Sequence, residues 1–274
     1  MKDKRLIWLF LFVSQFAFTQ IRGVVKDSIS GEPIPFVNIW VENETIGTTS
    51  EADGTFFLQA SKYKNIVISV LGYERKTLKG TEISEVFLKP TTYDLREVVV
   101  LNKKQTKKVE IGNVENAIFQ SFDNGPKIEA KFFSYQPSYN KTKFIKEVTI
   151  FTDSRIDNAT IKLHFYSVDE NGFPGEELLT KDYVVTLKKG VIKHRFTISD
   201  FDLVFPEKGM FVAYEKLLIE SNKTGTKYQP YVLYNYVDRD FFYTYAYGKW
   251  SKQSGENSEK ISVYEPSINL ILSN

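Results

Sequence analysis

The sequence contains no cysteine, and this absence removes several kinds of chemistry at once. Without thiols the chain has no disulfides, no cysteine nucleophile, and no thiolate site for zinc or an iron–sulfur cluster. Histidine is nearly as scarce, since only His164 and His194 occur. There is no His-x-x-x-His pair and no Gly-x-Ser-x-Gly elbow, so the sequence predicts neither a zinc site nor a hydrolytic triad. We predict no catalytic residues and no metal ligands.

Apolar runs of membrane-spanning length are also missing. The strongest one, Leu6–Val13, is well below the ~20 residues that a spanning helix needs. Three basic residues precede it, and the small residues Ala17 and Thr19 follow it, so we predict a signal peptide over residues 1–19. A short membrane anchor is the alternative. No cysteine follows the apolar run, which excludes a lipoprotein anchor, and after cleavage we expect no transmembrane span.

A charge excess of either sign is absent once the predicted signal peptide is removed. Residues 1–19 hold three of the 36 basic and one of the 34 acidic residues, so 33 of each sign remain. A neutral surface gives no general attraction to nucleic acid or to an anionic membrane. The one basic cluster lies in a polar stretch that we interpret as a solvated linker, and it consists of Lys103, Lys104, Lys107 and Lys108. We therefore expect no nucleic-acid partner.

Aromatic and apolar residues, by contrast, are plentiful, at 15% and 42% of the chain. Aromatic and β-branched residues in short runs between turn signals favour strands, so we predict an all-β protein. We divide it into a first domain over residues 20–101, a linker over 102–112, and a second domain over 113–274. Strands of the first domain are predicted at Ile21–Val25, Phe36–Val41, Phe56–Leu58, Ile66–Val70, Tyr73–Leu78 and Glu85–Leu88.

Four motifs of the first domain, in order, carry a resemblance to a known family. They are Gly23–Asp27 with Gly31–Ile39, Gly47–Phe56, Ser69–Glu74 and Leu95–Val100. The segment resembles the carboxypeptidase-regulatory-like domain of Bacteroidota-type proteins. The resemblance implies a transthyretin-like, seven-stranded sandwich that carries no catalytic residues. In many outer-membrane transport receptors this module precedes a plug and a barrel, and we expect the residues that follow it here to be too few for those.

The second domain shows about ten strand signals, which suggest a jelly-roll-like β-sandwich. Strands are predicted at Ile128–Ser134, Phe144–Thr152, Thr160–Val168, Tyr183–Leu187, Val191–Ile198, Phe211–Leu218, Tyr231–Val237, Phe241–Tyr247, Ile261–Val263 and Ile268–Leu272. In Thr160–Val168, apolar residues alternate with Lys162, His164 and Tyr166, the pattern of a half-solvated strand. This places His164 alone on the solvent face, whereas His194 shares a face with Ile192 and Phe196 at the core edge. The segment also resembles sandwich modules found beside regulatory-like domains.

Acidic residues gather at Asp169–Gly172 and at Glu176 and Glu177. Carboxylate oxygens could hold Ca²⁺, but the run does not match an EF-hand loop. A glycosidase needs two carboxyl groups that face each other across a cleft, which spacing in sequence does not establish. We favour a solvated hairpin loop, give Glu51 and Asp53 the same interpretation, and predict no cofactor.

Aromatic residues are densest between Tyr228 and Trp250. We hypothesise that Tyr243, Tyr245, Tyr247 and Trp250 form a platform for a glycan or a protein partner, because such rings combine an apolar face with a polar tip. The alternative is that they are cross-strand packing pairs, each worth less than ~1 kcal/mol.

These observations predict an exported, non-enzymatic binding protein of the periplasm or cell surface, associated with the outer membrane. Its expected partner is a glycan or another envelope protein. A structural docking component of an outer-membrane assembly is the first alternative, and a carbohydrate-active enzyme is the second.

Overall fold

The computed structural model describes residues 20–91, 106–112, 126–237, 241–246, 248–254 and 263–274. The predicted signal peptide, the closing family motif and Tyr247 lie outside these ranges. Regular structure in these ranges consists of strands and short 3₁₀ helices, the latter at Gly80–Glu82, Pro137–Lys141, Ser199–Phe201 and Glu220–Asn222. None of the helices in the described ranges is both long and apolar enough to cross a bilayer. The all-β prediction is confirmed.

The first domain is a sandwich of two small sheets. Its strands are β1 (Gln20–Asp27), β2 (Asn38–Val41), β3 (Gly47–Thr49), β4 (Thr55–Gln59), β5 (Asn65–Ser69), β6 (Lys76–Lys79) and β7 (Glu85–Leu88). One sheet has the order β4-β1-β7, with β1 parallel to β7, and the other has the order β3-β2-β5-β6. Alternation in β4 turns Phe56 and Leu58 inward, where they pack with Val25, Ile39 and Ile68 in one core.

The second domain is built from the remaining strands. They are β8 (Lys108–Gly112), β9 (Ile128–Phe133), β10 (Phe144–Ser154), β11 (Ala159–Val168), β12 (Pro174–Glu177), β13 (Tyr183–Leu187), β14 (Gly190–Thr197), β15 (Met210–Lys216), β16 (Lys223–Thr224), β17 (Lys227–Tyr228), β18 (Tyr231–Val232), β19 (Tyr234–Val237), β20 (Phe241–Ala246), β21 (Lys249–Ser254), β22 (Val263–Pro266) and β23 (Ile268–Ser273). Two pairs, β16-β17 and β19-β22, form separate ribbons.

Two larger sheets enclose the core of this domain. The five-stranded sheet has the order β14-β10-β23-β8, with β18 also paired to β10. The seven-stranded sheet has the order β12-β11-β15-β9-β20-β21, with β13 also paired to β11. As the alternation predicted, Ile161, Leu163 and Phe165 point into the core. Lys108–Gly112, at the end of the predicted linker, pairs with β23 as an edge strand of the five-stranded sheet, and the bounds of the domains and the linker stay a prediction. The jelly-roll connectivity stays a prediction.

The two domains pack against each other through backbone and side-chain contacts. Lys162 donates from Nζ to the carbonyl oxygen of Phe36 at 2.7 Å. The backbone N–H of Leu218 donates to Thr49 Oγ1 at 3.0 Å, and that of Glu220 donates to Glu51 Oε1 at 2.8 Å. The expectation of a half-solvated β11 is therefore wrong, since the first domain covers the face that would otherwise meet solvent.

Candidate functional site

A buried network of charged side chains lies at this junction, with His164 at its centre. His164 is only 8% exposed. Its Nδ1 lies 2.9 Å from Glu177 Oε2 and its Nε2 lies 3.0 Å from Glu215 Oε2. Burial by itself would lower the pKa of His164, but the hydrogen bonds and charges of the two carboxylates outweigh it and raise this pKa to about 9. The imidazole is therefore a cation at neutral pH.

Lys162 and Asn38 complete the network from two sides. Lys162 Nζ lies 2.8 Å from Asp182 Oδ2, and its charge also acts on Glu215. Burial tends to raise the pKa of Glu215, but hydrogen bonds from His164 and Asn38, together with the Lys162 charge, lower it overall. Because Asn38 belongs to β2 of the first domain, the network bridges the domain boundary.

The chemistry of this network is that of a structural ion cluster. Each ring nitrogen of His164 already contacts a carboxylate, so neither is free to accept a proton from a substrate. Glu177 and Glu215 sit on opposite sides of the imidazole and do not converge on one point. Over the ranges that the structure describes, no group of three or more His, Asp or Glu residues is placed to hold a metal ion.

Two predictions fail here for the same reason. His164 was placed alone on a solvent face, and Glu177 was placed in a solvated loop. The hairpin that carries β12 instead folds back along β11, so that Glu177 Oε1 accepts the backbone N–H of Phe165 at 2.7 Å while its Oε2 contacts His164. Glu215, Lys162 and Asn38 were not singled out, because their partners are distant in sequence.

The other acidic residues form turns, as predicted. Asp169 accepts the backbone N–H groups of Asn171 and Phe173 at 2.9 and 2.7 Å, and Glu176 is exposed. Asp53 accepts the backbone N–H of Thr55 at 3.0 Å. Glu51 differs, because its carboxylate accepts a bond from the second domain.

His194 lies at the edge of the core, as predicted. Its ring stacks on Phe196 at 6.1 Å between centroids. Burial and the nearby Lys188 charge lower the pKa of His194, so this imidazole stays neutral where His164 is charged.

An aromatic layer covers the outer face of the seven-stranded sheet. It comprises Phe132, Tyr166, Phe173, Phe211, Tyr243, Tyr245 and Trp250. Tyr243 is only 7% exposed and packs edge-on against Phe211 at 4.7 Å and Phe173 at 5.7 Å, so its ring is unavailable to a ligand. Tyr245 and Trp250 are half-buried, with centroids 5.4 Å apart. The structure thus brings two of the predicted platform residues together, places Tyr243 in the packed layer, and does not describe Tyr247.

A small cavity lies beside Tyr245, between the domains. Its volume is about 30 Å³, and it is lined by Asn38, Trp40, Glu44, Pro126, Lys127, Ile128, Glu215, Tyr245, Ala246 and Gly248. Trp40 and Tyr245 meet edge to face, with centroids 6.2 Å apart. The guanidinium of Arg75 lies 5.7 Å from the centre of the Trp40 ring and also hydrogen-bonds Tyr245. Sequence reasoning missed Trp40, because its alternation in β2 marks it only as a packing residue.

Comparison with known proteins identifies the first domain. The family described as CarboxypepD_reg-like domain matches residues 21–100. These residues form a CarboxypepD_reg-like domain. The TonB-dependent receptor SusC of Bacteroides thetaiotaomicron is 40% identical over 101 residues, which is 36% of this chain and 10% of that receptor. The chain therefore spans about a tenth of that relative's length.

Solved structures give only a distant likeness. The structure of infectious bursal disease virus Gx strain covers 86% of this chain at 10% identity and a TM-score of 0.26, with 56% of the viral chain covered. The infectious bursal disease virus VP2 subviral particle covers 92% at 9% identity and a TM-score of 0.27, with 60% of its chain covered. Both scores are too low to indicate a shared fold.

Proposed function

We propose that this protein is a non-catalytic binding protein of the bacterial cell envelope, exported by its predicted signal peptide, whose favoured ligand is a glycan. The observation that carries the proposal is the half-buried pair Tyr245 and Trp250 beside the domain junction. Exposed parts of such rings pack against the C–H faces of sugars, while the phenol and indole groups hydrogen-bond to hydroxyls. A rigid β-sheet holds both rings in place without help from a flexible loop.

The charge network at the junction supports a non-catalytic role. A general base needs a free nitrogen and a pKa near the working pH, and His164 has neither, since both nitrogens are paired and its pKa is about 9. A glycosidase needs an open cleft between two carboxyl groups. Between Glu177 and Glu215 lies the imidazole itself, which argues against the enzyme alternative.

The envelope part of the proposal rests on the CarboxypepD_reg-like domain. Its 40% identical relative is a TonB-dependent receptor, which is the basis for expecting association with the outer membrane. The same likeness favours a second candidate function, in which the domain docks the protein onto an outer-membrane assembly. Both candidates agree on an exported protein without chemistry of its own.

Glycan arrays probed with the purified mature chain separate the two candidates. We expect signals that are lost in Trp250→Ala and kept in Tyr63→Ala, a control on the first domain where the ring is 76% exposed. Unchanged signals in Trp250→Ala contradict the platform. An empty array, together with retention of a TonB-dependent receptor from outer-membrane extracts, supports the docking function instead.

A further inference from the structure

We infer that the cavity at the domain junction is a subsite for a hydroxyl-bearing group of a neutral sugar, with the indole N–H of Trp40 as its donor. This inference rests on the proposed glycan-binding function and adds the position of the site and the chemical class of its ligand. It also gives the junction a role beyond joining two domains, since the cavity exists only where both meet.

The indole N–H of Trp40 is an unsatisfied hydrogen-bond donor. Trp40 is 7% exposed, and its Nε1 is buried without a hydrogen-bond acceptor among the residues that the structure describes. A buried N–H without a partner is costly, and such groups are rare in folded proteins. The indole nitrogen lies next to Gly248, since a Cβ built there would be 3.7 Å from it, and Gly248 lines the cavity. An indole N–H only donates, so its missing partner is an acceptor, such as a hydroxyl oxygen.

The size of the cavity limits what can enter it. Its volume of about 30 Å³ is roughly two to three times the ~10–15 Å³ that one water molecule needs. It admits a hydroxyl or hydroxymethyl group and excludes a whole sugar ring. The ring would therefore stay at the mouth, against the half-exposed edge of Tyr245, while one of its substituents enters between Trp40 and Tyr245.

The polar residues around the cavity bear on which ligand it takes. The lining includes Glu44, Glu215, Lys127 and Asn38. Hydrogen-bond donors and acceptors around a small aromatic pocket match the hydroxyl groups of a sugar, each of which can both donate and accept. Glu44 pairs with Lys64 at 2.8 Å and Glu215 contacts His164 at 3.0 Å, so neither carboxylate requires a cationic ligand. A charged ligand would lose its hydration next to these pairs, and the geometry therefore favours a neutral hexose over a uronic acid.

Nuclear magnetic resonance gives a direct test, because the mature chain has two tryptophans, Trp40 and Trp250. Trp250→Phe assigns the two indole N–H resonances. The probes are methyl glucoside, methyl galactoside and methyl mannoside, with methyl glucuronide as the acidic mismatch and glycerol as the non-specific control. We expect at least one neutral hexoside to shift the Trp40 indole signal saturably, with no saturable shift from glucuronide or glycerol.

Two variants then probe the cavity itself. Trp40→Phe keeps a ring but removes the donor, and we expect it to weaken binding about fivefold, the worth of one neutral hydrogen bond. Ala246→Leu adds bulk to the cavity lining and should abolish binding without removing any polar group. The Trp250 indole resonance, monitored in both variants, reports that the second domain is still folded.

The outcomes distinguish this inference from the broader function. Saturable shifts of the Trp40 resonance in the unsubstituted protein, together with hexoside affinities measured by calorimetry that both variants lower, support the subsite. Array signals that persist in both variants overturn the subsite and leave glycan binding standing. If no hexoside moves the Trp40 resonance, the subsite is likewise overturned, and if the array is also empty, the glycan-binding function fails with it.

Discussion

Lys162 donates a hydrogen bond across the domain boundary to the carbonyl oxygen of Phe36, and the same ammonium group pairs with Asp182 at 2.8 Å. Phe36 has a φ of 54°, a left-handed conformation that costs a bulky residue roughly 1–2 kcal/mol. The contact therefore links the strained backbone of Phe36, in the first domain, to the buried ammonium group of Lys162, in the second. It helps to hold the two domains in a fixed position relative to each other.

Replacing Lys162 with Met should loosen this junction. Lys162 is 1% exposed, so the change removes a buried charge whose partner Asp182 is only partly open to water. We expect a loss of about 3 kcal/mol in the free energy of unfolding, the low end of the range for a broken buried pair. Denaturant unfolding measures it, with Lys223→Met as the control, because the exposed pair Lys223–Glu220 should contribute no more than ~1 kcal/mol. Equal losses in both variants would contradict the role of Lys162.

The stability of the protein should fall as pH rises from about 6.5 to about 9. The folded pKa of His164, about 9, lies above its unfolded value of about 6.5, so folding binds a proton in this window. The stabilisation is complete below about 6.5 and is lost as pH rises through 9, and the shift corresponds to about 3 kcal/mol. His194 acts in the opposite direction and at lower pH, because its folded pKa is lowered.

Urea unfolding at pH 6.5 and pH 9 checks this expectation. In His164→Gln the dependence on pH over this window should largely vanish, while His194→Gln should keep it. A wild-type stability that stays constant over the window would show that the His164 cation does not stabilise the fold.

Tyr243 separates a packing role from a binding role. Its ring contacts Phe211 and Phe173, so Tyr243→Ala should cost about 3–5 kcal/mol, as for other large-to-small changes in a core. Trp250→Ala, at a half-buried ring, should cost less. Thermal unfolding of the two variants gives the comparison. A smaller loss for Tyr243→Ala than for Trp250→Ala would be inconsistent with the packed position of Tyr243.

Local pattern was enough to predict most strands. The strands β7 (Glu85–Leu88) and β13 (Tyr183–Leu187) begin and end at the predicted residues, because apolar alternation and flanking turn residues define both. By contrast, β21 (Lys249–Ser254) and β12 (Pro174–Glu177) were missed. Their sequences are polar and lack the apolar alternation that predicts a strand. Both segments become strands because they pair with a neighbouring strand, β12 with β11 and β21 with β20.

The candidate site was only partly predictable. Tyr245 and Trp250 could be found because aromatic density is visible along the chain. The burial of Lys162 and His164 could not, since a polar residue at every second position of a strand reads as solvent-facing whether water or another domain covers that face. Trp40 belongs to the candidate site because its ring contacts that of Tyr245. The two residues are far apart in sequence, so the sequence alone does not indicate this contact.

The strand β23 pairs on one side with β10 and on the other with β8, so it occupies an interior position in the five-stranded sheet. Without residues 268–273, β8 and β10 have no strand between them, and Leu270 and Leu272 are missing from the core. Pairing of this one strand therefore joins β8 to the rest of the five-stranded sheet and completes the core of the second sandwich in the same step.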